Sequence, residues 1–132
     1  MIYLLDTDIC IYWLKGVPAV LERVKTVGVS QIAISTITVA ELYFGAYNSA
    51  KIEENLARAE DFARQISIAP LDDLVLKAFG RIKADLRKQG QPLADFDLLI
   101  AGTVLANEFV LVTNNTQHYE RIANLKLENW SA

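Results

Sequence analysis

Ile2-Tyr3-Leu4-Leu5-Asp6-Thr7-Asp8 places four apolar residues ahead of an acid, a small polar residue and a second acid. An apolar run with no polar alternation reads as a strand buried on both faces, as in a parallel sheet. Thr7 to Leu14 then reads as a helix, Gly16-Val17-Pro18 breaks it, and a second helix runs from about Ala19 to Val27. Ile32-Ala33-Ile34 is the next strand candidate, followed by Ser35, Thr36 and Thr38, all good helix N-caps. That helix runs to about Tyr47, another spans Ile52 to Ile66, and Ile68-Ala69 is a short strand before Pro70. Asp72-Asp73 opens a helix that closes at Arg87-Lys88, acids first and cations last, as the helix dipole favours. Ala94 to Asn107 is apolar nearly all round and predicts a buried helix. Phe109 to Val112 is the clearest strand, and Lys126-Leu127 a last edge strand. Strands alternating with helices predict an α/β fold with a small, mainly parallel sheet and helices on both faces. Ligands in such folds bind at the carboxyl ends of the strands, which is where a site is sought.

The 132 residues fit one domain, 1–132, with no repeat, low-complexity tract or linker. Hydrophobic residues make up 52% and charged residues 22%, a composition that excludes a disordered chain. The lone Cys10 forms no internal disulfide and reads as a buried thiol. The N-terminus carries no signal-peptide pattern, and the longest apolar run, Leu98 to Ala106, is far short of the roughly 20 residues of a membrane helix. A cytoplasmic protein is expected. The formal net charge of −3 argues against holding nucleic acid by overall charge, although a metal ion held by carboxylates reverses the sign locally.

Acids collect where the site is expected. Asp6 directly follows the first strand and reads equally as a helix N-cap or a site acid. Glu41 lies in the apolar segment Ile37-Thr38-Val39-Ala40-Glu41-Leu42-Tyr43-Phe44, and Thr38-x-x-Glu41 also matches a capping box. Asp95 and Asp97 open the buried helix; one can cap it, and Asp97, adjoining the apolar run, is assigned to the site. Thr113-Asn114-Asn115 follows the strand ending at Val112, as a turn or as part of the site. Glu120 reads as a solvated charge, and His118, the only histidine, as a surface or interface residue. Converging carboxylates repel one another, and oxygen ligands suit Mg²⁺ or Mn²⁺; a single His and a single Cys disfavour zinc. A carboxylate-held metal suits phosphoryl chemistry.

Leu4-Leu5-Asp6-Thr7-Asp8, Ile34-Ser35-Thr36-Ile37-Thr38-Val39-Ala40-Glu41-Leu42, Asp97-Leu98-Leu99-Ile100-Ala101-Gly102 and Val112-Thr113-Asn114-Asn115 occur in the order and spacing of a known family. The chain resembles the PIN-domain endoribonucleases, specifically the VapC toxins of bacterial toxin–antitoxin pairs, over essentially its whole length. The resemblance implies a three-layer α/β/α sandwich that cleaves RNA with Mg²⁺ or Mn²⁺. It implies Asp6, Glu41 and Asp97 as catalytic acids, with Asp6 and Asp97 as the principal metal ligands and Thr7, Thr113 and Asn115 in support. Many PIN domains carry an aspartate where Asn115 stands; in the subgroup this chain resembles, a downstream glutamate contributes, here Glu120. The resemblance further implies a tRNA substrate cut in its anticodon loop (initiator tRNA in that subgroup), a homodimer, and a VapB-type antitoxin whose tail covers the site.

Other readings exist. Asp6-Thr7-Asp8 also resembles the opening of haloacid-dehalogenase phosphatases, but the late lysine and second acidic pair of that family are not evident. A response-regulator receiver domain fits the size and lacks its lysine after Val112. A PIN-like binding module without catalysis is kept alive by Asn115. Lys77, Arg81 and Lys88 share a helix face that reads as solvated before it reads as an RNA contact.

Overall fold

The computed structural model describes residues 1–132. Five strands form one sheet: β1 Tyr3–Leu5, β2 Ile32–Ser35, β3 Ser67–Ala69, β4 Val110–Val112 and β5 Leu127–Glu128. Their spatial order is β3-β2-β1-β4-β5 and every pairing is parallel. β1 sits in the middle, with Tyr3 opposite Ile32 on one side and Val110 on the other. That central place explains why its residues are apolar without alternation.

The two-residue period of the strands sorts their side chains between two cores. Leu4, Ala33 and Leu111 join Ile82, Leu86, Leu98, Ile100 and Val104 on one face. Leu5, Ile32, Ile34 and Val112 join Ile9, Val20, Val24, Leu42, Ala59 and Phe62 on the other. The first core is closed mainly by α5 Asp73–Lys88 and α6 Asp95–Asn107, the second by α1 Thr7–Leu14, α2 Pro18–Val27, α3 Thr36–Tyr47 and α4 Ile52–Gln65. This is the expected three-layer α/β/α sandwich. Two short elements lie outside the sequence expectation: a 3-10 turn, Val29–Gln31, before β2, and α7, Thr116–Tyr119, a single turn after β4. Four residues are too few to show a hydrophobic period.

α5 and α6 pack closely because α6 carries Gly102 at their contact. A Cβ built there would lie 3.1 Å from both the Phe79 backbone N and the Val75 carbonyl O. Neither backbone atom can step aside alone, so Gly102→Ala is expected to destabilise the fold by about 1–3 kcal/mol. Urea unfolding checks this: an unchanged midpoint would mean that the helices separate freely.

Going from β1 the chain builds outward through β2 and β3, then returns to place β4 on the opposite flank of β1. The strand order therefore reverses between β1 and β4. The crevice beyond their carboxyl ends is the ligand position of an open α/β sheet. Asp6 follows β1 there and Thr113 follows β4, and the two are stitched by the Asp6 N–H donating to Val112 O at 2.8 Å.

Candidate active site

Asp6 is both cap and site residue. It is the N-cap of α1, with Oδ1 accepting from the Thr7 N–H at 2.9 Å, while Oδ2 accepts from the Thr113 hydroxyl at 2.9 Å. Only 8% of it is exposed. Burial, then the neighbouring Asp8 charge, push its carboxyl up to about 6, with Asp97 adding to the rise and the Thr113 and Thr7 hydrogen bonds opposing it. Ordering of this kind, desolvation plus like charge in a crevice, is a recognised mark of a functional site.

Asp8 belongs to the same cluster. Its Oδ1 accepts from the Ile9 N–H at 2.7 Å and its Oδ2 from the Asn114 N–H at 3.1 Å, with the Thr113 hydroxyl 3.5 Å away. Burial is the chief cause that raises its carboxyl as well. Sequence pattern alone assigns Asp8 no role. The group that fixes it, the Asn114 amide, lies across the β1–β4 junction and leaves no trace in local sequence.

Glu41 is not in a capping box. α3 begins two residues before Thr38, with Ser35 as N-cap accepting from the Ile37 N–H at 3.0 Å. That frees Glu41, whose Oε1 accepts from the Thr7 hydroxyl at 2.6 Å. The buried Thr38 hydroxyl pairs with Thr7 at 3.1 Å. Thr7 thus links the first and second acids of the sequence reading, through its amide to Asp6 and through its hydroxyl to Glu41.

The two acids of α6 part company. Asp95 faces Lys83 at 2.8 Å, and neither acid caps the helix, whose N-cap is Ala94. Asp97 turns to the site: Oδ2 lies 2.8 Å from His118 Nε2, and Oδ1 accepts from the Tyr119 hydroxyl at 3.3 Å. His118, expected as a surface or interface residue, is partly buried against Asp97. Tyr119 has no place in the sequence expectation; the apolar spacing Tyr119 to Ile122 is the signal that α7 turns a buried side inward.

Of the remaining candidates, Thr113 is fully buried and joins Asp6 to the loop after β4. Asn115 engages the site through its backbone, its N–H donating to Thr113 Oγ1 at 3.0 Å, and its side chain is exposed. Glu120 is exposed at the end of α7, and no hydrogen bond or ion pair joins it to the cluster. Asp8, inside the cluster, is therefore better placed than Glu120 to serve as a fourth acid. Asp8→Asn is expected to lower the activity of this site by at least about tenfold, whereas Glu120→Gln changes it by less than about twofold. Initial-rate measurements on both variants decide it; the reverse order would return the role to Glu120.

No lysine or arginine pairs with Asp6, Asp8, Glu41 or Asp97. Four acids are thus gathered with their charge uncompensated by a basic side chain other than His118. The donor set is oxygen, which suits a hard divalent cation. Three of these side chains do not close round one point as a ready-made cage. Asp6 and Asp97 lie on either side of Tyr119, whose hydroxyl donates to Asp97 Oδ1 and whose phenol is pushed up by both carboxylates. A two-carboxylate site completed by water is the habit of Mg²⁺.

The PIN domain family matches residues 3–125. Over 129 residues the chain is 37% identical to the tRNA(fMet)-specific endonuclease VapC of Shigella flexneri, covering 98% of each protein. It is 38% identical over 128 residues to ribonuclease VapC2 of Haemophilus influenzae, covering 97% of each. A chain of the DNA-bound VapBC complex from Salmonella typhimurium superposes with a TM-score of 0.93 at 35% identity, over 98% of each chain. VapBC2 from Rickettsia felis, bound to a DNA fragment from its promoter, gives 0.90 at 34% identity, over 98% of this chain and 99% of that one. The chain belongs to the PIN-domain family, and within it to the VapC group. The phosphatase and receiver-domain readings fall with that assignment.

Proposed function

We propose that this protein is a divalent-metal-dependent endoribonuclease, the toxin of a type II toxin–antitoxin pair, which inhibits translation by cutting initiator tRNA in its anticodon loop. The observation that carries the enzymatic part is the gathering of Asp6, Asp8, Glu41 and Asp97 at the switch point between β1 and β4, with no basic side chain but His118 to neutralise them. The relatives named tRNA(fMet)-specific endonuclease support the substrate.

Asp6 and Asp97 would hold Mg²⁺ or Mn²⁺. When bound, such an ion neutralises phosphate charge, lowers the pKa of a bound water and stabilises the leaving oxygen. The chain's own residues prepare this. The Thr7 amide and Thr113 hydroxyl hold the two Asp6 oxygens in place and favour the ionised form, against the burial that opposes it. Glu41 has one oxygen fixed by Thr7, while Oε2 engages no protein donor and can accept a proton from an attacking water. Asp8, tied to the Asn114 amide, fixes the loop after β4 against the start of α1.

The VapBC complexes among the structural relatives support a VapB-type antitoxin as partner. A groove of about 270 Å³ between α1, α3 and α4, lined by Ile11, Leu14, Leu42 and Ala59, includes Glu41 in its wall. An apolar segment laid there would pass Glu41, where a basic side chain would meet its carboxylate. Phe44, Tyr47, Leu74 and Phe96 are large apolar side chains at least half exposed, which supports protein contacts, among them a homodimer. No helix is long and apolar enough to cross a membrane, and a cytoplasmic site of action is proposed with the rest.

The test is digestion of a purified tRNA pool with the ends of the products mapped. One pair of fragments from initiator tRNA, broken in the anticodon loop, is expected. Uniform degradation of all tRNAs would overturn the substrate, and release of terminal phosphate alone would overturn the nuclease.

A further inference from the structure

α7 delivers two consecutive side chains to one carboxylate. His118 Nε2 meets Asp97 Oδ2 at 2.8 Å and the Tyr119 hydroxyl meets Asp97 Oδ1 at 3.3 Å. An ionised carboxylate only accepts, so the imidazole carries a proton on Nε2 in this contact. The two rings pack edge to face, 5.3 Å between centroids and 87° between planes, which limits rotation of the half-buried imidazole. Tyr119 itself is 1% exposed and anchored in the core beside Ile122. A phenol is a neutral donor at neutral pH, so its hydroxyl can only give its hydrogen to the carboxylate here.

Asp95 is held by an ammonium group, which cancels its charge. Asp97 is held by a phenol, and by an imidazole that in its neutral form likewise leaves the charge in place. A carboxylate so held is fixed in direction yet keeps its attraction for a cation. Without those donors it would pass among rotamers, and ordering it would oppose ion binding.

We propose that His118 and Tyr119 are positioning residues that orient Asp97 for the divalent cation and thereby set the affinity of the site for it. The inference rests on the metal-dependent reading above. Its test uses no RNA: metal-free protein is titrated with Mn²⁺ and the free ion read by its electron paramagnetic resonance signal, with thermal melting to verify folding. His118→Ala is expected to raise the Mn²⁺ Kd by about tenfold to a hundredfold, and Tyr119→Phe to raise it by at least about threefold. His118→Gln, whose side-chain amide can donate from the place of Nε2, is expected to return within about threefold of wild type. Gln117→Ala, exposed on the same helix, leaves it unchanged. Wild-type affinity in a folded His118→Ala, or His118→Gln as weak as His118→Ala, overturns the role of His118. Should His118→Ala not fold, the Gln and Phe variants decide, and wild-type affinity in Tyr119→Phe removes Tyr119 from the pair. A wild-type protein that binds no Mn²⁺ overturns the metal-dependent reading itself, and this inference with it.

Discussion

Replacing Asp6 by Asn is expected to abolish cleavage and, in the same molecule, to raise the stability of the metal-free fold. The first effect follows from removing a proposed metal ligand and is expected to reach about a thousandfold or more in rate. The second follows from the direction of the Asp6 shift. Its folded carboxyl stands at about 6, above the ordinary 3.8. Between those values the native state binds more protons than the unfolded state, so the stability of the metal-free protein falls as pH rises through that window. Above it the ionised Asp6 costs the fold roughly 3 kcal/mol at most, at 1.36 kcal/mol per pH unit. Asn carries no charge and keeps an acceptor for the Thr7 amide. Asp6→Asn is therefore expected to be about 1–3 kcal/mol more stable than wild type at pH 7.5 in EDTA, with the difference closing near pH 4. Thermal melts across that range check it. An equal or lower melting temperature at pH 7.5 would mean that Asp6 is not under electrostatic strain.

Asp97→Asn gives the same catalytic loss, about a thousandfold, with the opposite sign in stability. Asp97 is less buried, lies in the first turn of α6, and accepts from His118 and Tyr119. An acid there is favoured by the helix dipole. An amide would lose that and turn an NH₂ group toward one of two donors. A loss of about 0.5–1.5 kcal/mol is expected in EDTA. The pair of variants thus separates two reasons for being inactive: both lose chemistry, while one fold gains stability and the other loses it. Two inactive variants that move together in stability would contradict the different environments described for the two acids.

Much of this arrangement was legible in sequence because it is carried by local pattern. The apolar run before Asp6 predicts a buried strand, and an acid after such a strand falls at the carboxyl ends of the strands, where ligands bind. Asp97 was separable from Asp95 by its place against the apolar run, and the structure gives the cause: Asp95 reaches back to Lys83 on α5. What failed to show was carried by contacts between distant segments. Asp8 is fixed by an amide 106 residues on. The Thr38-x-x-Glu41 pattern left a capping box and a functional acid equally open, because local sequence offers several caps in a row and only the structure shows that Ser35 is the one used. His118 and Tyr119 depend on α7, one turn long, whose direction is set by the tether of Tyr119 in the core and by no periodicity of its own. Glu120, attached to the site by family resemblance, points from that turn into solvent.

The acids at the β1–β4 switch point are proposed to cut RNA by way of a divalent cation. The direct measurement is single-turnover cleavage of initiator tRNA by wild type, Asp6→Asn and Asp97→Asn, prepared side by side, in Mg²⁺, after EDTA, and after Mg²⁺ is restored. Cleavage by wild type that vanishes in EDTA, returns with Mg²⁺, and is missing from both variants is the predicted result. Cleavage that persists in EDTA, or that either variant performs at the wild-type rate, would contradict it.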